Sequence, residues 1–158
     1  MSVKMEIIDY PNYSIYRDGR VWSKFGKGRF LKPYIAKQTG YYCYTLMGVK
    51  QTTTTLHSLL GKYYIENPNP DNYNMIDHID RNKLNNDLNN LRWCDSTINN
   101  NNVGVFKTNK LGVKNISVDG KAFRFCKIYK GIIHRKSFKT LQEAIDYKRQ
   151  YLTKFSTQ

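Results

Sequence analysis

The chain has 158 residues, room for one ordinary domain or two small modules, and carries 26 Lys and Arg against 12 Asp and Glu, a formal net charge of +14. Solubility needs far less, so the excess points to a polyanionic partner, nucleic acid first; no long apolar run or basic amphipathic helix supports a membrane instead. Cys43, Cys94 and Cys126 are widely spaced with no CxxC pair, which excludes a zinc knuckle or a disulfide framework and fits a reducing, intracellular compartment.

No apolar signal core follows the first residues, Met-Ser-Val-Lys-Met-Glu, so secretion is not expected. In residues 13–24, Ser14-Ile15-Tyr16 and Val21-Trp22-Ser23 flank Asp18-Gly19, a hairpin pattern. Residues 41–46 and 51–56, rich in Tyr and Thr, flank Met47-Gly48-Val49-Lys50 as a second hairpin. Residues 57–65 form a short helix, stopped by Asn67-Pro68-Asn69-Pro70.

Residues 76–102 hold the densest Asn content, but Leu84, Leu88, Leu91 and Trp93 are interleaved with it and can anchor a folded loop. Two short strands around a long turn are expected, then a helix opening near Ser96 with Asp95 or Ser96 as its cap. A polar linker over residues 100–111 leads to three strands, 114–118, 121–129 and 132–138, turned at Asp119-Gly120 and Lys130-Gly131. Thr140-Leu141-Gln142-Glu143 is a capping box opening a helix to about Phe155, with Leu141, Ala144, Ile145, Leu152 and Phe155 on one face. The fold class is α+β, a β-rich N-terminal segment and a strand–strand–helix centre followed by a three-stranded sheet plus one helix. The expected division is 1–103 and 104–158.

Charge is uneven along the chain. Residues 1–60 carry a net +6 and residues 104–158 a net +10, while residues 61–103 carry −2. Basic flanks around an acidic centre suit an enzyme that grips phosphates and holds a cation between them.

That centre contains Ile76-Asp77-His78-Ile79-Asp80, then Asn90-Leu91-Arg92-Trp93, then Asn99. Phosphodiester hydrolysis requires a nucleophilic water, a group to take its proton, and positive charge near the developing phosphorane. Asp77 offers a hard oxygen ligand for Mg²⁺ or Mn²⁺. His78, its neighbour, points to the other side of a strand or turn and can face the attacking water as base near neutral pH. Asn99, on the first turns of the following helix, offers a second oxygen ligand.

These residues resemble the HNH endonucleases, specifically phage intron-encoded homing enzymes and related viral nucleases. Asp77-His78 matches the family's Asp-His pair, Asn90 its central Asn and Asn99 its last metal-binding position. The resemblance implies a ββα-metal fold: a hairpin carrying Asp77 and His78, a loop tied down by Asn90, and a helix carrying Asn99. It also implies one Mg²⁺ or Mn²⁺ per site, double-stranded DNA as substrate and no membrane partner. Gly112-Val113-Lys114, the basic strands, and Phe138-Lys139-Thr140 leading into Gln142-Glu143-Ala144 resemble the ethylene-response-factor type of DNA-binding domain. That family lays its sheet in the major groove, which makes Lys121, Arg124, Lys127, Arg135 and Lys136 the DNA-contacting candidates. The second strand, Ala122-Phe123-Arg124-Phe125-Cys126, departs from that family's aromatic-basic-small pattern.

A calcium loop starting at Asp77 is excluded by Ile79, Asn82 and Leu88 at its third, sixth and twelfth positions. His57 is favoured as a structural histidine, His134 as a phosphate contact or surface residue, and Asn85 and Asn86 as loop stabilisers. The function expected is site-preferring nicking of duplex DNA. The rivals are a non-catalytic DNA-binding protein with a decayed site and a nuclease acting on RNA.

Overall fold

The computed structural model describes residues 4–129 and 131–155, with Phe155 described by its backbone alone. β1 (Lys4–Ile7) pairs with β2 (Tyr10–Tyr16), and Asp18-Gly19 turns β2 into β3 (Val21–Ser23), setting Ser14 opposite Trp22 and Ile15 opposite Val21. Gly19 sits at φ 86°, where a residue without Cβ suffers no clash. β4 (Arg29–Phe30) completes an antiparallel sheet in the order β1-β2-β3-β4.

β5 (Tyr34–Ile35), β6 (Tyr42–Met47) and β7 (Gln51–Thr55) make a second sheet, with Cys43 opposite Thr55. α1 (Leu56–Tyr64) begins at once, so Leu56 opens the helix instead of ending the strand. Its burial periodicity explains why: Leu56, Leu59 and Leu60 form one helical stripe and join Ile7, Tyr13, Ile15, Val21, Tyr44, Leu46 and Leu91 in a single core.

Gly61 brings α1 close to the strand that carries the candidate chemistry, β8 (Met75–His78). A Cβ at residue 61 would meet Ile76 Cδ1 at 2.3 Å, so a bare glycine is what that approach requires. β8 pairs with β9 (Leu91–Cys94), with Asp77 opposite Arg92 and His78 opposite Leu91. α2 (Ser96–Asn102) follows. Asp95 caps it, its Oδ1 accepting from the Ile98 amide at 2.6 Å. The helix runs through Asn102, so the polar linker starts at residue 103, not 100.

The chain divides into two compact units, Met1–Asn102 and Val103–Gln158. The second holds β10 (Ile116–Asp119), β11 (Ala122–Tyr129) and β12 (Ile132–Phe138), antiparallel in that order, and α3 (Leu141–Phe155). β10 starts two residues later than expected because Asn115 sits at φ 67°, a left-handed turn that extended pairing cannot contain. The capping box is formed: Thr140 Oγ1 accepts from the Glu143 amide, and Glu143 accepts from the Thr140 amide, both at 3.2 Å. Ile116, Phe125, Ala144 and Tyr151 are the buried core, with Tyr147 packed against it. Both tyrosines extend the helical face beyond the expected Leu141, Ala144, Ile145 and Leu152. The expected place of the Phe155 side chain, and Lys130 of the expected turn, lie outside the described residues. No helix among the described residues is long and apolar enough to cross a membrane.

Candidate active site

The site starts from the Asn-rich loop between β8 and β9. Asn and Asp side chains there accept amide protons two residues ahead: Asp80 from Asn82, Asn82 from Leu84, Asn85 from Asp87, and Asp87 from Asn89, at 2.7–3.3 Å. These are successive Asx turns, which explains a run of these residues in an ordered loop. Asn90 closes it. Its Oδ1 accepts from the Asp80 amide at 3.0 Å, and its Nδ2 donates to Asp80 Oδ1 at 2.9 Å and to the Asn85 carbonyl at 2.8 Å. The amides of Asn85, Asn82 and Asn90 hold the Asp80 carboxyl below its ordinary range.

Asp77 and His78 stand at the end of β8, where this loop leaves the strand. The Asp77 side chain is 10 % exposed, and all its hydrogen bonds reach one oxygen. Oδ2 accepts from Arg92 Nη2 at 2.8 Å, Arg92 Nε at 3.2 Å and Asn102 Nδ2 at 2.9 Å. Oδ1 accepts none among the described residues. The carboxylate is enclosed while the Arg92 side chain is 38 % exposed, so solvent screens part of the pairing.

His78 is 4 % exposed. Its Nε2 lies 3.3 Å from Asn86 Oδ1. An amide oxygen only accepts, so that bond forms when Nε2 carries the proton, and the lone pair then sits on Nδ1. Tyr41 stacks on the imidazole with ring centroids 5.8 Å apart and 14° between planes, and His57 meets it edge-on at 4.8 Å. Burial, and then the neighbouring His78, push the His57 pKa down to about 4, against an opposing pull from Asp77. His57 is therefore a neutral wall of the site near pH 7. Burial first, then the Asp77 charge, raises the Tyr41 hydroxyl.

Asn99 lies on α2, its amide bonded to the Asp95 carbonyl at 3.0 Å. Its side chain is half-buried and makes no hydrogen bond among the described residues. The side chain that reaches Asp77 is Asn102, one turn further along, which also donates to the His78 carbonyl at 2.7 Å. Residues three apart share a helix face, so the Asn run itself held the signal for Asn102. Arg92 could be found only from the strand register, and Asn86 only from the path of the loop.

Among the described residues Asp77 leaves one carboxylate oxygen open and Asn99 leaves its side-chain amide unengaged, two hard-oxygen groups that would make a small donor set if both reached one ion. Such a set fits Mg²⁺ or Mn²⁺, ions that keep several waters and take few protein ligands. Among the described residues no three His, Cys, Asp or Glu side chains cluster as a metal cage.

Strand alternation divides the five DNA-contacting candidates of the second unit. Arg124 pairs with Ser137 and Cys126 with Arg135, on the sheet face opposite Phe125, so Arg124 and Arg135 lie away from α3. Arg124 is ion-paired with Asp119. Lys127 and Lys136 lie on the α3 side, and Lys136 Nζ sits 4.6 Å from the Tyr147 ring centroid. Lys121 is exposed at the turn before β11. His134 is also on the α3 side, its ring 5.1 Å from that of Tyr151, so it is part of the packing.

No protein-family profile matches the chain. Two Acanthamoeba polyphaga mimivirus proteins, each named an uncharacterized HNH endonuclease, do resemble it. One is 36% identical over 94 residues, covering 60% of this chain and 23% of the relative; the other is 41% identical over 87 residues, covering 52% and 24%. The chain thus spans about a quarter of the length of these relatives. Among solved structures it matches that of the HNH homing endonuclease I-HmuI, described for DNA binding and cleavage. The TM-score is 0.55 and the identity 27%, over 92% of this chain and 82% of that one.

Proposed function

We propose that this chain is a divalent-metal-dependent endonuclease of the HNH type, hydrolysing phosphodiester bonds in double-stranded DNA at a ββα-metal centre made by β8, β9 and α2. The observation that carries the reading is the pairing, on one strand end, of a carboxylate with one oxygen open and a histidine held by a hydrogen bond and two rings. The named relatives and the likeness to I-HmuI support it.

In this reading Asp77 Oδ1 and the Asn99 amide oxygen hold one Mg²⁺ or Mn²⁺, which when bound supplies positive charge to the phosphorane and leaving oxygen. His78 takes the proton of the attacking water at Nδ1, because Asn86 occupies Nε2. Tyr41 and His57 keep its ring from turning. Arg92 and Asn102 hold the carboxylate, and Asn90 holds the loop that carries Asn86. Neighbouring strand residues point to opposite faces, so ligand and base act from different sides.

The division of labour proposed is a nuclease domain at 1–103, whose β-rich N-terminal segment also contacts DNA, and an ethylene-response-factor-like module at 104–158. That module supplies 13 basic residues and lays its outer sheet face, with Arg124 and Arg135, in the major groove. Lys121 contributes from the turn before β11, whereas Lys127 and Lys136 lie on the α3 side of the sheet and outside that face.

One centre per chain cuts one strand, so the proposal is a site-preferring, homing-type nickase. Supercoiled plasmid in Mg²⁺ should pass through open circles before linear product, EDTA should stop the reaction, and RNA and single strands should be poorer substrates. Immediate linearisation by a dimer overturns the nickase, preference for RNA overturns the substrate, and silence in both metals leaves DNA binding without cleavage. Removing residues 111–158 should weaken DNA binding and flatten its salt dependence; an unchanged slope would remove that module from the DNA-binding reading.

A further inference from the structure

We infer that Arg92 is a positioning residue that makes Asp77 a one-oxygen ligand and thereby sets which divalent cation the site prefers. The inference rests on the metal-binding reading above. It starts from the strand register: Asp77 and Arg92 are directly opposed across β8 and β9, so the guanidinium meets the carboxylate without crossing any loop. Arg92 donates twice to Oδ2, and Asn102 donates a third time. A carboxylate oxygen has two in-plane lone pairs. With three N–H groups on it, Oδ2 has nothing left for a cation, and Oδ1 has everything.

The carboxylate is also kept from turning. Asn102 is anchored at its other contact to the His78 carbonyl of the same strand. Swinging Oδ2 towards an ion would break two charge-assisted bonds in a pair whose acidic partner is 10 % exposed. Asp77 therefore presents one oxygen. Mg²⁺ and Mn²⁺, which favour compact octahedral shells, accept such a ligand, whereas Ca²⁺ gains from a carboxylate that offers both oxygens at longer range. Arg92 thus biases the site against Ca²⁺ through the geometry of its neighbour, with no contact to the ion.

The test is direct binding to the full chain without DNA, reading free Mn²⁺ by electron paramagnetic resonance and Ca²⁺ by competition against it. Wild type, Arg92→Gln, Arg92→Lys and Asp77→Ala are compared. Removing a positive charge beside the site affects both doubly charged ions alike, so it cancels from the ratio of their affinities. Freedom of the carboxylate does not cancel. Arg92→Gln should raise the affinity for Ca²⁺ relative to Mn²⁺ on the order of tenfold, and Arg92→Lys, a point charge without the fork, should fall between it and wild type. If the Gln variant is melted at the assay temperature, the Lys variant decides the matter alone. An unchanged ratio in the folded variants, with binding lost in Asp77→Ala, overturns the role of Arg92 and leaves the metal site standing. Mn²⁺ bound by Asp77→Ala as by wild type would instead overturn the metal reading.

Discussion

Between Ile79 and Asn90 the loop that leaves β8 has no buried residue, whereas the C-terminal unit closes on buried Ile116, Phe125, Ala144 and Tyr151. The loop is held by directional bonds: Asx turns, the three bonds of the Asn90 side chain, and Lys83 Nζ to the Thr39 carbonyl at 2.9 Å. The C-terminal unit is held by area, with Phe125 against Tyr147 at 5.5 Å and Tyr151 at 5.1 Å. Hydrogen bonds specify one shape but add little net stability each, while apolar burial adds stability with little direction. A region that must place a base beside a carboxylate needs the first kind, and a scaffold for basic side chains can rest on the second.

The largest effect should come from the site itself. His78→Ala is expected to lower cleavage by about a hundredfold to ten-thousandfold with DNA affinity nearly intact, measured by gel shift in calcium or EDTA beside cleavage in magnesium. Extra Mn²⁺ should partly restore Asp77→Ala and Asn99→Ala but not His78→Ala. A His78→Ala chain cutting at the wild-type rate would remove His78 as the base.

Next is the area-built unit. Phe125→Ala should destabilise it by about 3–5 kcal/mol, seen as a lower melting transition, while cleavage persists at enzyme concentrations that saturate the DNA. Cleavage lost under saturation would mean that the two units do not divide the work.

Asn90→Ala reverses the pattern. Its lost bonds should cost only about 1–3 kcal/mol, yet cleavage should fall more than melting does, because Asn86 and hence His78 depend on the loop. Equal losses would show that the loop acts through stability alone.

The smallest effect is a pH dependence. His57 is neutral in the folded chain with a pKa of about 4, against an ordinary 6.5, so the unfolded chain takes up the proton first as pH falls. Its neutral burial costs nothing above about pH 6.5, and stability is lost as pH drops from there towards 4. Between pH 7 and 5.5 the loss should be about 1 kcal/mol, and His57→Phe should flatten that part of the melting-temperature profile. An unaltered profile in that variant would place the titration elsewhere.

Local chemistry made much of this protein legible from its residues alone. Asp18-Gly19 with its flanking strands, the Thr140–Glu143 box, the short helix before Asn67-Pro68-Asn69-Pro70 and the strand–strand–helix order of residues 75–102 all depend on neighbours a few positions apart. The adjacency of Asp77 and His78 is likewise a property of the sequence. The short strands β1, β4 and β5 were not legible, since pairs of two to four residues gain their stability from the strand beside them. Nor was the environment of Asp77 and His78. Arg92 faces Asp77 across a register set beyond a long loop, Asn102 rather than Asn99 bonds the carboxylate, and His57 meets His78 because Gly61 lets α1 approach β8. Alternation across the second sheet decided which basic residues face away from α3. Turns and caps are fixed by forces within a few residues, but register, side-chain partners and the charge state of a buried histidine follow from which surfaces the packed chain removes from water.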